Sequence, residues 1–185
     1  EQFSRILTEL NEHEIWVIKD PRMCILFPLI KDLLKNPIIL YIYRNPLEVA
    51  ASLNKRNGMP ITVGLALWEL YNAKALNASK GLQKIILSYA DLIENRVLVT
   101  NELHTILSLY SDSLSLPSEI EIEAVIDRRL YRNRSSPEKY TSLTVSQQSI
   151  LDKLDHYDYL TDDYPDIKLA DISLSVLEGF NRIGK

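Results

Sequence analysis

Blocks of apolar and polar residues predict two strands and a helix in the first third of the chain. Residues 16–19 and Ile38–Tyr43 are short runs rich in β-branched and aromatic side chains, and Asp-Pro or Asn-Pro follows closely after each, which is typical of strands. Between them, apolar residues recur at helical spacing over residues 24–34, and Asn36-Pro37 ends the predicted helix. This order predicts a βαβ unit with parallel strands and a right-handed crossover.

The rest of the chain is predicted to be mostly helical. Apolar residues at helical spacing predict helices at residues 1–12, 60–79, 97–110, 119–130, 142–156 and 166–183. Residues 85–88 form one more short apolar run and are predicted as a third strand. We therefore expect an α/β fold in a single domain over residues 1–185, with an α/β core at 1–95 and a helical region at 96–185.

Two cations stand at the ends of the first two predicted strands. Lys19 closes the first strand and Arg44 directly follows the second. Ligands of parallel sheets bind at the carboxyl ends of the strands, so these residues predict an anionic ligand. The guanidinium of Arg44 also presents a planar fork that matches phosphate.

The residues after Arg44 predict a helix that begins at an anion site. Asn45 is a suitable N-cap, Pro46 suits the first helical position, and Glu48 follows three residues after the cap, as in a capping box. The N-terminus of a helix presents free N–H groups and a positive dipole end to anions. Ser52 lies two turns further and leans back towards the N-terminus, so we expect it to share a phosphate with Arg44.

Composition and charge exclude several function classes. With 46% hydrophobic and 25% charged residues, the chain has the composition of an ordinary soluble protein. A formal charge of −4 argues against a general nucleic-acid or membrane-surface binder. No run approaches the roughly 18 apolar residues of a membrane span, and no signal peptide is visible, so we expect a cytoplasmic protein. The single cysteine, Cys24, is expected to be a buried structural thiol.

Several motifs in order resemble the sulfotransferase family. They are KDPR at 19–22, RNP at 44–46 with a serine eight residues after its arginine, the stretches VAASLNKRNG and GLALWELYNAKAL, and a strand ending in SYADL, over residues 16–95. The lysine-first KDP turn is particularly similar to that of bacterial-type and tyrosylprotein sulfotransferases. The resemblance implies a P-loop-NTPase-like three-layer fold, with a parallel sheet flanked by helices.

The resemblance also implies a cofactor and residue roles. The cofactor is 3′-phosphoadenosine 5′-phosphosulfate (PAPS), whose 3′-phosphate Arg44 and Ser52 would bind, with Tyr89 near the adenine. Lys19 would be catalytic, stabilising the transferring sulfonate and the leaving oxygen; its alternative is an ion pair with Asp20. Arg22 either braces the turn through a carboxylate or reaches the acceptor.

The expected function is transfer of a sulfonate from PAPS to a hydroxyl or amine of a carbohydrate, peptide or small-molecule acceptor. The family's 5′-phosphosulfate loop has no counterpart here, since Gly58 is the first glycine, so we expect a truncated chain that is inactive alone. Two alternatives remain open: an inactive sulfotransferase-like binding domain, and a nucleotide kinase-like enzyme, although no Walker lysine or magnesium ligands are visible.

Other candidate residues are less defined. Arg132 lies in the basic segment LYRNRSSPEKY, which is either solvated or a loop that binds the cofactor phosphate or an anionic acceptor. We assign no general base, because His13 and Glu14 precede the first strand, and His104 and His156 are expected as surface or packing residues. The acidic stretch YDYLTDDYPD lacks the spacing and the glycine of an EF-hand, so no metal site is predicted.

Overall fold

The computed structural model describes residues 2–127, 143–156 and 164–183. Over these residues the fold is α/β, with mostly helices and a small parallel sheet of two strands. In chain order the elements are α1 (Gln2–Leu10), α2 (Met23–Leu26), two 3-10 turns (Phe27–Leu29 and Lys31–Leu33), β1 (Ile38–Tyr43), α3 (Pro46–Asn57), α4 (Ile61–Ala78), β2 (Gln83–Ser88), α5 (Tyr89–Glu94), α6 (Arg96–Leu107), α7 (Glu119–Val125), α8 (Val145–Asp155) and α9 (Asp171–Ile183).

The chain divides into two compact units, each built from two segments. The first comprises Glu1–Ile42 and Leu82–Tyr131, and the second comprises Tyr43–Gly81 and Arg132–Lys185. The expected division at residues 95 and 96 therefore differs from the division by contacts, and the single-domain organisation stays a prediction. Among the described residues, no helix combines the length and apolar character that a membrane span requires.

The first unit contains the sheet and a core of aliphatic and aromatic side chains. Tyr41 of β1 and Ile85 of β2 are buried, as are Ile93 and Val99 on the helices that follow β2. Leu40 and Ile42 lie on the opposite face of β1 from Tyr41. Both are apolar, and both are almost half exposed. Parallel sheets normally have both faces covered, whereas this face of β1 is partly open over the described part of the chain.

The first predicted strand is wrong. Residues 16–19 have no strand pairing, and Val17 is 84% exposed. An apolar run gives strand propensity but forms a strand only where another strand pairs with it, and this run has no pairing partner among the described residues. The expected βαβ unit therefore lacks its first strand, and a P-loop-like three-layer fold is not confirmed.

The crossover helix predicted at residues 24–34 is also wrong in form. The structure has one helical turn, Met23–Leu26, followed by the two 3-10 turns. Pro28 stands inside the predicted helix and lacks the N–H donor that a continuous α-helix would need there; it lies instead in the first 3-10 turn. Cys24, on the short helix, is half-buried, and burial raises the pKa of its thiol.

The second unit is organised around α4. Helices α3, α8 and α9 all pack against α4, and Trp68 on α4 is buried at 4% exposure. Gly64 allows the close approach of α3, because a Cβ atom there would lie 2.8 Å from Ala50 Cα. Most buried apolar side chains of this unit belong to α4, which makes it the core element of the unit.

Glu69 joins three helices of the second unit. It is completely buried on α4, and its carboxylate accepts hydrogen bonds from Ala170 N at 2.7 Å, Ser173 Oγ at 2.5 Å and Gln147 Nε2 at 3.1 Å. Ala170 and Ser173 lie at the N-terminus of α9, where a negative charge is stabilised by the helix dipole. The carboxylate therefore fixes α8 and the start of α9 to α4.

Candidate anion site at the start of α3

The predicted start of α3 is confirmed. Pro46 opens the helix, and the Asn45 side chain accepts a hydrogen bond from Leu47 N at 3.0 Å. The expected capping box is not formed, because Glu48 makes a different contact. The Glu48 carboxylate accepts a hydrogen bond from Arg44 Nε at 2.9 Å. The helix thus begins directly after β1 with its cap in place and with Arg44 held beside its first turn.

The Arg44–Glu48 ion pair is shielded from solvent. The Arg44 side chain is 22% exposed and that of Glu48 is 7% exposed. In addition, the indole Nε1 of Trp68 donates to the Arg44 carbonyl at 2.9 Å. The Glu48 carboxylate fixes the Arg44 side chain, and the Trp68 indole fixes the Arg44 backbone. Little conformational entropy of Arg44 would therefore be lost on binding an anion.

Ser52 lies on the same face of α3 as Glu48. Residues four apart in a helix are neighbours, separated by a rise of about 6 Å. Ser52 is half-buried, and its hydroxyl has no hydrogen-bond partner among the described residues. Arg44, Glu48 and Ser52 therefore follow one another along this face, as the spacing of Arg44 and Ser52 predicts. Whether both bind one phosphate stays a prediction.

Lys19 is exposed, and no ion pair joins it to another described residue. Asp20 instead pairs with Arg22, which contacts it through Nη2 at 2.6 Å and through its backbone N at 2.8 Å. These bonds lower the pKa of Asp20 to about 2. The turn is thus braced by Arg22, in agreement with one of its two predicted roles, and the acceptor-binding role of Arg22 and the catalytic role of Lys19 stay predictions.

Tyr89 directly follows β2, is half-buried and begins α5. The structure assigns Tyr89 to the first unit, with Lys19, and Arg44 and Ser52 to the second. Arg132 lies outside the described residues, so its predicted role rests on the sequence alone. No cluster of three metal-ligating side chains occurs within residues 2–127, 143–156 and 164–183.

Sequence reasoning missed two contributors to this site. Glu48 was expected to cap the helix and instead pairs with Arg44, a contact that their spacing of four residues could have indicated. The Trp68 indole donates to the Arg44 carbonyl across 24 residues, a contact that no local pattern predicts. No family model, curated protein or solved structure shows a significant match to this chain.

Proposed function

We propose that this protein is a sulfotransferase that transfers a sulfonate from PAPS to a hydroxyl or amine, and that α3 binds the 3′-phosphate of the nucleotide. The motif order over residues 16–95 is the basis for naming the reaction. The observation that carries the proposal is the arrangement of Arg44, Glu48 and Ser52 along one face at the start of α3.

The chemistry requires little more than position and positive charge near the leaving group. The acceptor oxygen forms a bond to sulfur while the bond from sulfur to the 5′-phosphate oxygen breaks, and negative charge grows on that oxygen. A phosphate on Arg44 and Ser52 would anchor the opposite end of the nucleotide, and Glu48 would keep the guanidinium oriented for it. Lys19 has the compact charge that suits the developing negative oxygen.

One observation favours a second candidate, a nucleotide-binding domain without transferase activity. Lys19 is exposed and follows no strand, so its side chain is not held in one direction. Catalysis by a fixed charge depends on such preorganisation. The binding function of α3 does not depend on Lys19 and would remain.

The test is calorimetric titration with adenosine 3′,5′-bisphosphate beside adenosine 5′-monophosphate, which lacks the 3′-phosphate. We expect the bisphosphate to bind at least about 10-fold more tightly, since a hydrogen bond to a charged group contributes about 1.5–3 kcal/mol. Arg44→Lys should remove most of this preference because lysine lacks the planar fork. It also keeps a positive charge for Glu48, which avoids an unpaired buried carboxylate.

The matched control is Arg56→Ala, which removes an arginine from the last turn of the same helix and should change neither affinity. Equal binding of the two nucleotides to the unmodified protein would refute the phosphate site. Because this chain alone is expected to be inactive, transfer from PAPS is measured on the full-length protein, in which a transferase should lose kcat far more than affinity on Lys19→Ala. A full-length protein that binds the bisphosphate through Arg44 without any turnover would be the binding domain.

A further inference from the structure

The last residue of β1 is bonded to the last residue of α8. The Tyr43 hydroxyl donates to Asp155 Oδ1 at 2.6 Å, and 112 residues separate the two in the sequence. A hydroxyl that donates to a carboxylate forms a short, charge-assisted hydrogen bond. Both side chains have few rotatable bonds, so holding them together costs less conformational entropy than pairing two long side chains. The bond therefore fixes the end of β1 to the end of α8.

The position of Asp155 on its helix is electrostatically unfavourable by itself. The C-terminus of a helix carries a partial negative charge, which favours cations and disfavours carboxylates there. Asp155 is the final residue of α8. The Tyr43 hydroxyl supplies a donor to this carboxylate and offsets part of the repulsion. The helix end is thus stabilised when Tyr43 stays in place.

The other end of α8 is fixed to α4. Gln147, in the first turn of α8, donates to the buried Glu69 carboxylate at 3.1 Å. Between the two ends, Ile150 and Leu154 are buried. From Gln147 to Asp155 the helix rises about 12 Å. Because α8 is held at both ends and along its buried side, it connects α4 to the end of β1 as a rigid element.

Together with the Trp68 indole, these bonds form a closed ring of contacts, which we call the α4–α8 ring. It runs from the Arg44 carbonyl to α4 through Trp68, and from the adjacent Glu69 to α8. It returns from α8 to Tyr43, the residue before Arg44, through Asp155. All of its members belong to the second unit.

The α4–α8 ring acts on the part of Arg44 that the ion pair with Glu48 does not fix. Arg44 lies in the two-residue connection between β1 and α3, so the direction of its guanidinium depends on the backbone there as well as on its own rotamer. The ring holds this backbone on both sides of the Arg44 Cα, through the Tyr43 side chain before it and the Arg44 carbonyl after it. A binding group that is displaced by about 1 Å loses much of its effect.

We propose that Asp155 is a positioning residue for the 3′-phosphate site and acts through Tyr43 on Arg44. The inference rests on the proposed function, because it takes Arg44 as the ligand of the 3′-phosphate. Coupling between two sites is reciprocal. A nucleotide bound through Arg44 therefore stabilises the end of α8 in return.

The test is calorimetric titration of Asp155→Ala with adenosine 3′,5′-bisphosphate and with adenosine 5′-monophosphate. We expect the bisphosphate to bind at least about 3-fold more weakly than to the unmodified protein, and the monophosphate to change by less than about 2-fold, since residues that couple two sites have effects of this size. A general loss of structure would weaken both nucleotides together. The ratio of the two affinities therefore separates positioning from destabilisation.

Matched variants identify the hydrogen bond as the cause. Tyr43→Phe should reproduce the effect of Asp155→Ala, and the double variant should lose no more than either single one, because both remove the same bond. Asp155→Asn should restore most of the preference for the bisphosphate, since its amide oxygen still accepts from the hydroxyl. The control is Asp152→Ala, which removes a carboxylate bonded to Gln148 within the same helix and should leave the ratio unchanged.

Hydrogen exchange supplies the reciprocal measurement. The bisphosphate should slow the exchange of the last amides of α8 in the unmodified protein, and should do so less in Asp155→Ala. A preference for the bisphosphate that persists in Asp155→Ala, or that Asp155→Asn fails to restore, would overturn the inference alone. Equal binding of the two nucleotides by the unmodified protein would refute the phosphate site itself, and the positioning role with it.

Discussion

Replacing Glu69 by alanine should strongly destabilise the second unit. The carboxylate is completely buried on α4 and accepts three hydrogen bonds. All three donors belong to α8 or to the start of α9. Glu69→Ala would therefore leave three donors without their acceptor and would remove the connection between α4 and the C-terminal helices.

The size of the effect follows from these contacts. A hydrogen bond to a charged group contributes about 1.5–3 kcal/mol, and a buried donor left unpaired costs about 1–3 kcal/mol. These terms describe the same loss and are not added. Water that enters the space left by the side chain would satisfy part of the lost bonding. We therefore expect the free energy of unfolding to fall by about 3–5 kcal/mol, a large part of the 5–15 kcal/mol typical of a domain.

The assay is urea unfolding followed by tryptophan fluorescence, since Trp68 is buried on the same helix. Hydrogen exchange of the Ala170 amide should also become faster, because that amide loses its acceptor. Glu69→Gln keeps the volume but places an NH₂ group among donors, and it should have an intermediate effect. The control is Glu102→Ala on the exposed face of α6, expected within about 0.5 kcal/mol. A loss below about 1 kcal/mol for Glu69→Ala would refute the assigned role.

Two further predictions concern packing and charge. Gly64→Ala should lower the free energy of unfolding by about 1–3 kcal/mol, because the new Cβ would lie 2.8 Å from Ala50 Cα. Gly179→Ala should raise it by about 0.5–1 kcal/mol, because its new Cβ meets nothing within 4 Å. Denaturant midpoints of the two variants that move in the same direction would contradict this. The Asp20 carboxyl should titrate near pH 2 in side-chain NMR, compared with an ordinary value of 3.8, and Arg22→Ala should raise its midpoint towards that value. Because the pKa is lowered in the folded state, the stabilisation is present above pH 3.8 and is lost as the pH falls through about 2; an unchanged midpoint in the variant would count against the pair.

Local signals in the sequence predicted the elements that depend on local interactions. The strand Ile38–Tyr43 has the predicted bounds, and Asn45 and Pro46 begin α3 as expected. Caps and proline restrict the backbone within a few residues, so their effect is visible in the sequence. The candidate anion site at α3 was predicted from these local signals, whereas Glu48 as the partner of Arg44 was not predicted.

The errors lie where distant contacts or an overlooked proline determine the backbone. The helix predicted over residues 166–183 begins only at Asp171. Asn77 exchanges two hydrogen bonds with the backbone of Ile167, both at 2.9 Å, and these hold that segment out of the helix. Ninety residues separate this pair, so no local pattern could reveal it. The run at residues 16–19 likewise has strand propensity without the partner that would make it a strand.

The position of the Glu69 donors also determines when the second unit can form during synthesis on the ribosome. Ala170 follows Glu69 by 101 residues. At about 5–20 residues per second, α4 waits roughly 5–20 s after its own translation before that donor exists. The second segment of the first unit, Leu82–Tyr131, is synthesised in the meantime. The apolar face of α4 that later packs against α8 and α9 is therefore available to chaperones during this interval.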